Sequence, residues 1–390
     1  MSISEKKTLF LNGVFAFANG LVSLFVSVYL FVYTSSFIVM SVYTIFEAIG
    51  IMLGSLLAIK IFVSKKFTIP YASGLALMTG ALIFDLCAGS LFTKNNYYVL
   101  IPGFIWGFGE GFFYYAYNAC NQVVTTPQSR PLFLQFGGII NNICVLLSPL
   151  LSNFIITNSK TDIIGYRNIL YVITFMHLVV ISVSLTINEG SQDKGVSFSK
   201  LLDLKDEMWA DEFKAVFAYG LMNSVYLTLT NLLVFDAAGN GGLYSKVQIF
   251  FSLCAIIAYR FLAKALKKEN ISKSFVFGYL LKISALLILV YVRNVYAAVY
   301  YGVVNAISNV YYDSSYSFIS SLIVSKYEGE IVPRVAIREI PLGLGRTLGM
   351  ILVVACYFII PKYYLIVPST ILSLTPIITI YVFLKRFKKL

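Results

Sequence analysis

The tract 97–124 carries one ionisable carboxylate, Glu110, set between two glycines in the run FGEGFFYYAYNACN at 108–121. Tyr114, Tyr117, Asn118 and Asn121 follow Glu110 at offsets of 4, 7, 8 and 11 residues. Those offsets make one stripe along a helix of 3.6 residues per turn. A second stripe has the same offsets: Asn305, Asn309, Tyr312, Asp313 and Tyr316. Shorter polar faces occur at Asn12, Asn19, Ser23 and Ser27, and at Tyr219, Asn223, Tyr226 and Thr230. A carboxylate inside an apolar helix is expected to be protonated, paired or functional, because an ionised one there is costly. Such an acid can take a proton from one side and release it to the other. An apolar helix with one polar stripe turns that stripe away from lipid, which points to a water-accessible cavity. The alternative is interhelical hydrogen bonding that glues helices together.

Other candidates carry blander expectations. Arg346 is a candidate charge partner for Asp313 or for an anionic substrate, with a structural ion pair as the alternative. Glu47, Asp85 and Lys282 read as structural pairs or as groups reaching for the interface. Asp236 and Lys246 flank a glycine-rich loop and read as residues of the external mouth. His177, the only histidine, reads as a neutral, hydrogen-bonded structural group. Gly103, Gly107 and Gly111 recur every fourth residue and predict a ridge for close packing of another helix. The five cysteines show neither a disulfide framework nor a metal-ligand spacing, and no cofactor is expected.

The elements that must hold these residues follow from composition. Of 390 residues, 58% are hydrophobic and 12% charged, with mean hydropathy +0.81. A soluble domain averages about 25% charged residues, so this surface is built for lipid. Continuous apolar tracts of roughly 20 residues recur along the chain, enough to cross a bilayer as helices. Lipid excludes open sheet edges, and the tracts do not alternate as barrel strands would. The expected fold is therefore an all-α polytopic membrane protein. Twelve spans are expected at roughly 9–33, 36–62, 70–92, 97–124, 132–157, 166–187, 213–237, 243–263, 274–292, 295–324, 335–360 and 362–384.

The net charge of +12 is distributed by topology and does not suggest nucleic acid. With both termini on one side, that side collects Lys6, Lys7, Lys65, Lys66, Arg130, Arg260, Lys264, Lys267, Arg334 and the basic tail. The other side holds Lys94, Lys160, Arg167, Arg293 and Lys362. Basic loops stay inside, so both termini are expected in the cytoplasm of a cell-membrane protein.

The polar interruption 188–212 divides the chain into two predicted bundles of six spans, 1–187 and 213–390. Gly13-Val-Phe-Ala-Phe recurs as Ala215-Val-Phe-Ala-Tyr, Ile45-Phe46 as Ile249-Phe250, Lys65-Lys66 as Lys267-Lys268, and Gly74 as Gly278. Six spans per half give the halves the same orientation, a parallel repeat about an axis normal to the bilayer.

With twelve spans in two sets of six and a long central loop, the chain resembles the major facilitator superfamily. The local signature between the second and third spans is partly present: Gly54, Lys60, Lys65 and Lys66 match, but Ala58 stands where the family has aspartate. The glycine-proline motif of the fifth span survives as Ser148-Pro149. The resemblance implies two six-helix bundles around a central cavity lined by spans 1, 4, 7 and 10, which carry the four polar faces. It implies a secondary active transporter that moves a small organic solute by alternating access, with proton coupling through Glu110 or Asp313. No Gly-x-x-x-x-Gly-Lys-Ser/Thr loop is present, so no ATPase of its own is expected. The partners implied are a small-molecule substrate, protons and the bilayer around a monomer. The competing readings are a transporter-like sensor, a lipid scramblase or flippase, and a membrane-embedded lipid-modifying enzyme. One histidine and scattered acids argue against the enzyme.

Overall fold

The computed structural model describes the chain except residues 35, 63–64, 93–97, 99, 161, 187–188, 191–197, 239–240, 268 and 388–390. The side chains of Ser23, Ser27, Asp85, Asp236 and Lys246 lie outside the described residues, as does much of the central loop 188–212. Among the described residues the regular structure is helical, with one isolated antiparallel bridge between Lys66 and Gly190.

The first half contains α1 (Ile3–Thr34), α2 (Phe37–Phe62), α3 (Thr68–Phe92), α4 (Leu100–Val124), α5 (Arg130–Thr157) and α6 (Asp162–Ser184). A short α7 (Phe198–Leu201) precedes α8 (Glu207–Ala238), α9 (Gly241–Tyr259), α10 (Leu262–Ala265), α11 (Ile271–Val292) and α12 (Val295–Val324). The chain then forms α13 (Ile331–Ile337), α14 (Glu339–Ile359), α15 (Ile366–Ser373) and α16 (Pro376–Phe387). The predicted fourth span is α4, the ninth α11 and the tenth α12. The predicted eleventh and twelfth are each broken once. Asn294 caps α12, its side chain accepting from the Ala297 N–H at 2.8 Å.

Among the described residues, five helical segments are long and apolar enough to cross a membrane: Phe37–Phe62, Arg130–Ser152, Ile271–Val292, Ile331–Ile359 and Ile366–Phe387. Their length and composition match the bilayer requirement.

The chain divides into two compact units. One comprises Met1–Thr126, Ile143–Val196 and Gly329–Glu339; the other comprises Pro127–Asn142, Ser197–Glu328 and Ile340–Leu390. The start of α5 therefore belongs to the second unit, and α13 to the first.

In the first unit α4 packs along α2 and α3, and α13 lies on α2 and α4. The glycines make this approach possible. A Cβ on Gly107 would fall on the Glu47 carbonyl, and one on Gly50 would stand 2.5 Å from the Phe104 oxygen. Gly103 and Gly111 meet α2 at Tyr43 and Ile51. Gly54, the opening glycine of the signature region, faces the Phe108 carbonyl. Thus the ridge predicted at 103, 107 and 111 receives α2. On another side of α4, a Cβ on Gly109 would stand 2.7 Å from the Gly74 oxygen of α3.

In the second unit α12 packs against α9, α11 and α8. Gly278 of α11 meets the α12 backbone, where its Cβ would stand 2.5 Å from the Tyr312 nitrogen. Gly220 and Gly345 bring α8 against α14. Hydroxyls of Thr375 and Thr379 donate to the carbonyls of Ala218 and Ala215, each at 3.0 Å, tying the α15–α16 segment to α8. At the base of α8, Arg386 donates to Asp211 at 2.6 Å and to the Glu207 carboxylate at 3.2 Å.

Candidate functional site

The second unit holds a charged pair within its helices. Lys282 stands midway along α11, and its ammonium donates to both carboxylate oxygens of Asp313 on α12, at 2.9 and 3.0 Å. The lysine side chain is 4% exposed and the aspartate 31%. Two rings flank the ammonium: Tyr226 of α8 at 4.9 Å and Tyr312 of α12 at 5.1 Å. Ring faces are electron-rich and suit a cation. The Tyr219 hydroxyl donates to Asp313 at 3.1 Å, and the Tyr226 hydroxyl donates to the Lys282 carbonyl at 2.8 Å. Tyr219 also stacks on Tyr316 with centroids 4.0 Å apart. Every part of this cluster is thus held by a neighbouring helix.

The expected pairing of Arg346 with Asp313 does not occur; Lys282 takes that place. Arg346 acts electrostatically on Tyr219, and its Nε is buried without a hydrogen-bond partner among the described residues. The amide oxygens of Asn305 and Asn309 are likewise buried without partners. Tyr312, expected to line a cavity, is a core residue with no exposure. The reason is local: it sits where Gly278 lets α11 come closest, and Phe275 lies 5.0 Å from its ring.

In the first unit Glu110 is buried within α4. Helical spacing puts it on the face of Tyr114, Tyr117 and Asn121, between the glycines that meet α2 and the one that meets α3. Phe15 of α1 stacks on Phe113 at 3.7 Å and meets Tyr114 edge-on at 6.4 Å. The Asn12 amide donates to the Asn121 side-chain oxygen at 3.1 Å. Asn19, Asn118 and Asn223 are half-buried.

The two stripes do not correspond as their equal offsets suggest. Tyr71 lies 5.1 Å from Phe113 beside Gly74, as Phe275 lies beside Tyr312 at Gly278. This packing aligns Phe113 with Tyr312, Glu110 with Asn309, and Tyr114 with Asp313. Glu110 therefore does not correspond to Asn305, the residue that opens the second stripe.

A solved structure aligns over nearly the whole of this architecture: the major facilitator superfamily transporter FucP in the outward conformation, at TM-score 0.73, 14% identity and 98% of each chain. The chain has the fold of the major facilitator superfamily transporters. A bacterial homologue of the iron transporter ferroportin, outward-facing with soaked iron, matches as well, at TM-score 0.73, 11% identity and 99% of each chain. In sequence, the chain is 25% identical over 311 residues to the Bacillus subtilis (strain 168) protein called uncharacterized protein YqgE, covering 77% of this chain and 69% of that one. No family model matches. Among the described residues of this facilitator fold, no group of three His, Cys, Asp or Glu side chains comes together as a metal site.

Lys282 pairs with Asp313, one of the two readings its sequence position allowed, and does not reach for the interface. A signal was present: about eleven residues of apolar helix separate it from either end, roughly 16 Å at 1.5 Å per residue. That is too deep for a lysine to reach water by stretching.

Proposed function

We propose that the chain is a secondary active transporter, a permease moving a small organic solute by alternating access and coupling that movement to protons. The observation that carries this reading is the placement of carboxylates in helix interiors, Glu110 on α4 and Asp313 on α12, within a facilitator fold. Charges there are costly and are retained where ions or substrates pass. The stripe of α4, the stripe of α12 without Tyr312, and Asn19, Asn223 and Tyr226 are the proposed path-lining residues. FucP, similar in fold, is a fucose:proton symporter of E. coli, which supports a proton as co-substrate. The excess of basic residues on one side supports a multi-pass protein of the cell membrane with cytoplasmic termini. The working unit is proposed to be a monomer.

The test is uptake into vesicles holding purified protein, with and without an inward proton gradient, using labelled glucose, benzoate and choline as probes. Gradient-driven accumulation of one of them is expected, with the gradient dependence reduced in Glu110→Gln or Asp313→Asn. Flux of no probe, combined with lipid flip-flop in the same vesicles, would replace the transporter by a scramblase.

A further inference from the structure

The described charges around Asp313 do not cancel. Tyr219 interacts with both Asp313 and Arg346, so around it the cations Lys282 and Arg346 and the anion Asp313 sum to one positive charge. The remaining titratable groups facing the pair are phenols: Tyr219 and Tyr226 from α8, Tyr279 from α11, and Tyr301, Tyr312 and Tyr316 from α12. The Lys282 ammonium has both carboxylate oxygens on one side and rings on the others, so Asp313 is its one counter-charge among the described residues. Among the described residues the Nε–H of Arg346 has no acceptor, and the amide oxygens of Asn305 and Asn309 have no donor. An occupant that satisfies all of these presents a negative group together with hydroxyl or amine hydrogens.

We infer that the solute is a small organic anion, a carboxylate, which replaces the Asp313 carboxylate as partner of Lys282 when Asp313 takes up a proton. The substrate class deepens the transporter reading above and rests on it. Removing one member of a buried pair leaves an uncompensated charge, which is strongly unfavourable. Protonating Asp313 with nothing bound leaves Lys282 in that condition. An incoming carboxylate relieves it, so each of the two events favours the other, and such coupling is reciprocal.

The balance is complete. The proton comes from water on the open side and binds a carboxylate oxygen of Asp313, while Lys282 and Arg346 keep their protons. The cluster carries +1 before the exchange and +1 after it, since one proton and one anion have entered. Transport by this route is electroneutral.

The experiment uses purified full-length protein in vesicles and in detergent, with benzoate and lactate as probes and choline and glucose as controls. Binding is read from thermal protection between pH 5 and 8. Carboxylate affinity should weaken about tenfold per pH unit wherever one proton is taken up with each anion. In Asp313→Asn, lactate binding should persist with its pH dependence lost, and Arg346→Gln should weaken it at all pH values. Flux should ignore an imposed membrane potential. Protection by choline but not by carboxylates would overturn the inference, as would carboxylate affinity that is flat with pH in the unaltered protein. Proton-driven flux of glucose or choline would sink the anion assignment while keeping the transporter. Carboxylate binding without flux of any probe would sink the transporter and leave an anion site.

Discussion

At the α3–α4 crossing Gly74 faces Gly109 and Phe113, and Tyr71 lies edge-on to Phe113. At the α11–α12 crossing Gly278 faces Tyr311 and Tyr312, and Phe275 lies against Tyr312. The frame is the same and the filling differs. Counting from the glycines and the paired rings, Met78 stands where the second unit has Lys282, and Tyr114 where it has Asp313. Met78 is fully buried against Gly109, and Tyr114 is half-buried against Phe15. An apolar side chain and a phenol therefore suffice to hold such a crossing. The charge pair is not required for packing, and a buried pair is weak evidence for stability.

Transplanting the first unit's filling is the sharpest way to test this contrast, and it has the largest expected effect. Asp313→Ala should cost about 3–5 kcal/mol of stability, because Lys282 is left buried and unpaired. Lys282→Met combined with Asp313→Tyr should recover most of that loss while abolishing carboxylate binding. Unfolding midpoints in detergent, combined with probe binding, measure both effects. A double variant no more stable than Asp313→Ala would mean that the two crossings are not equivalent.

The glycines test the shared frame, with a smaller effect. A methyl at Gly74 or Gly278 would stand 2.6 and 2.5 Å from the facing backbone. Gly74→Ala and Gly278→Ala should each cost about 1–3 kcal/mol by overpacking. Gly80 of α3 has nothing within 4 Å, so Gly80→Ala should be neutral or gain up to about 1 kcal/mol of helix propensity. Unequal losses at 74 and 278 would show that the second crossing leans on its charges after all.

How much of this could be read beforehand depends on the physical scale of each signal. Helical class followed from apolar run length, which a bilayer fixes. The ridge at 103, 107 and 111 was legible because backbone approach is a short-range rule written in residue size. Gly74 and its recurrence Gly278 each face the next helix, a contact that the sequence repeat alone did not state. Which residues of the two stripes correspond was not legible, because equal offsets of polar residues recur every turn and a slip of four residues keeps the same face; only ring packing at the glycines removes the ambiguity. The partner of Asp313 failed because α11 and α14 both offered cations, and helical spacing says nothing about which neighbouring helix lies nearer. Tyr312 was misplaced for a similar reason: a tyrosine on a polar stripe can bury its ring wherever a glycine draws another helix close.

The smallest contrast is a polar clasp in the first unit. The Thr79 hydroxyl of α3 donates to the Leu75 carbonyl at 2.8 Å and lies 2.6 Å from Nδ1 of His177 on α6. A hydroxyl has one proton to give, and here the carbonyl takes it, so the imidazole Nδ1–H is the donor. That fixes the neutral tautomer with Nε2 bare, and Nε2 is buried without a partner. The α11 register puts Ile283 at the corresponding position, so the second unit makes no such bond there. Thr79→Val should therefore cost about 1 kcal/mol, the net worth of one hydrogen bond, and Thr79→Ser should keep most of it. Transport and its pH profile should be unchanged in both. A Thr79→Val protein with normal stability but a shifted pH profile would make His177 a proton relay.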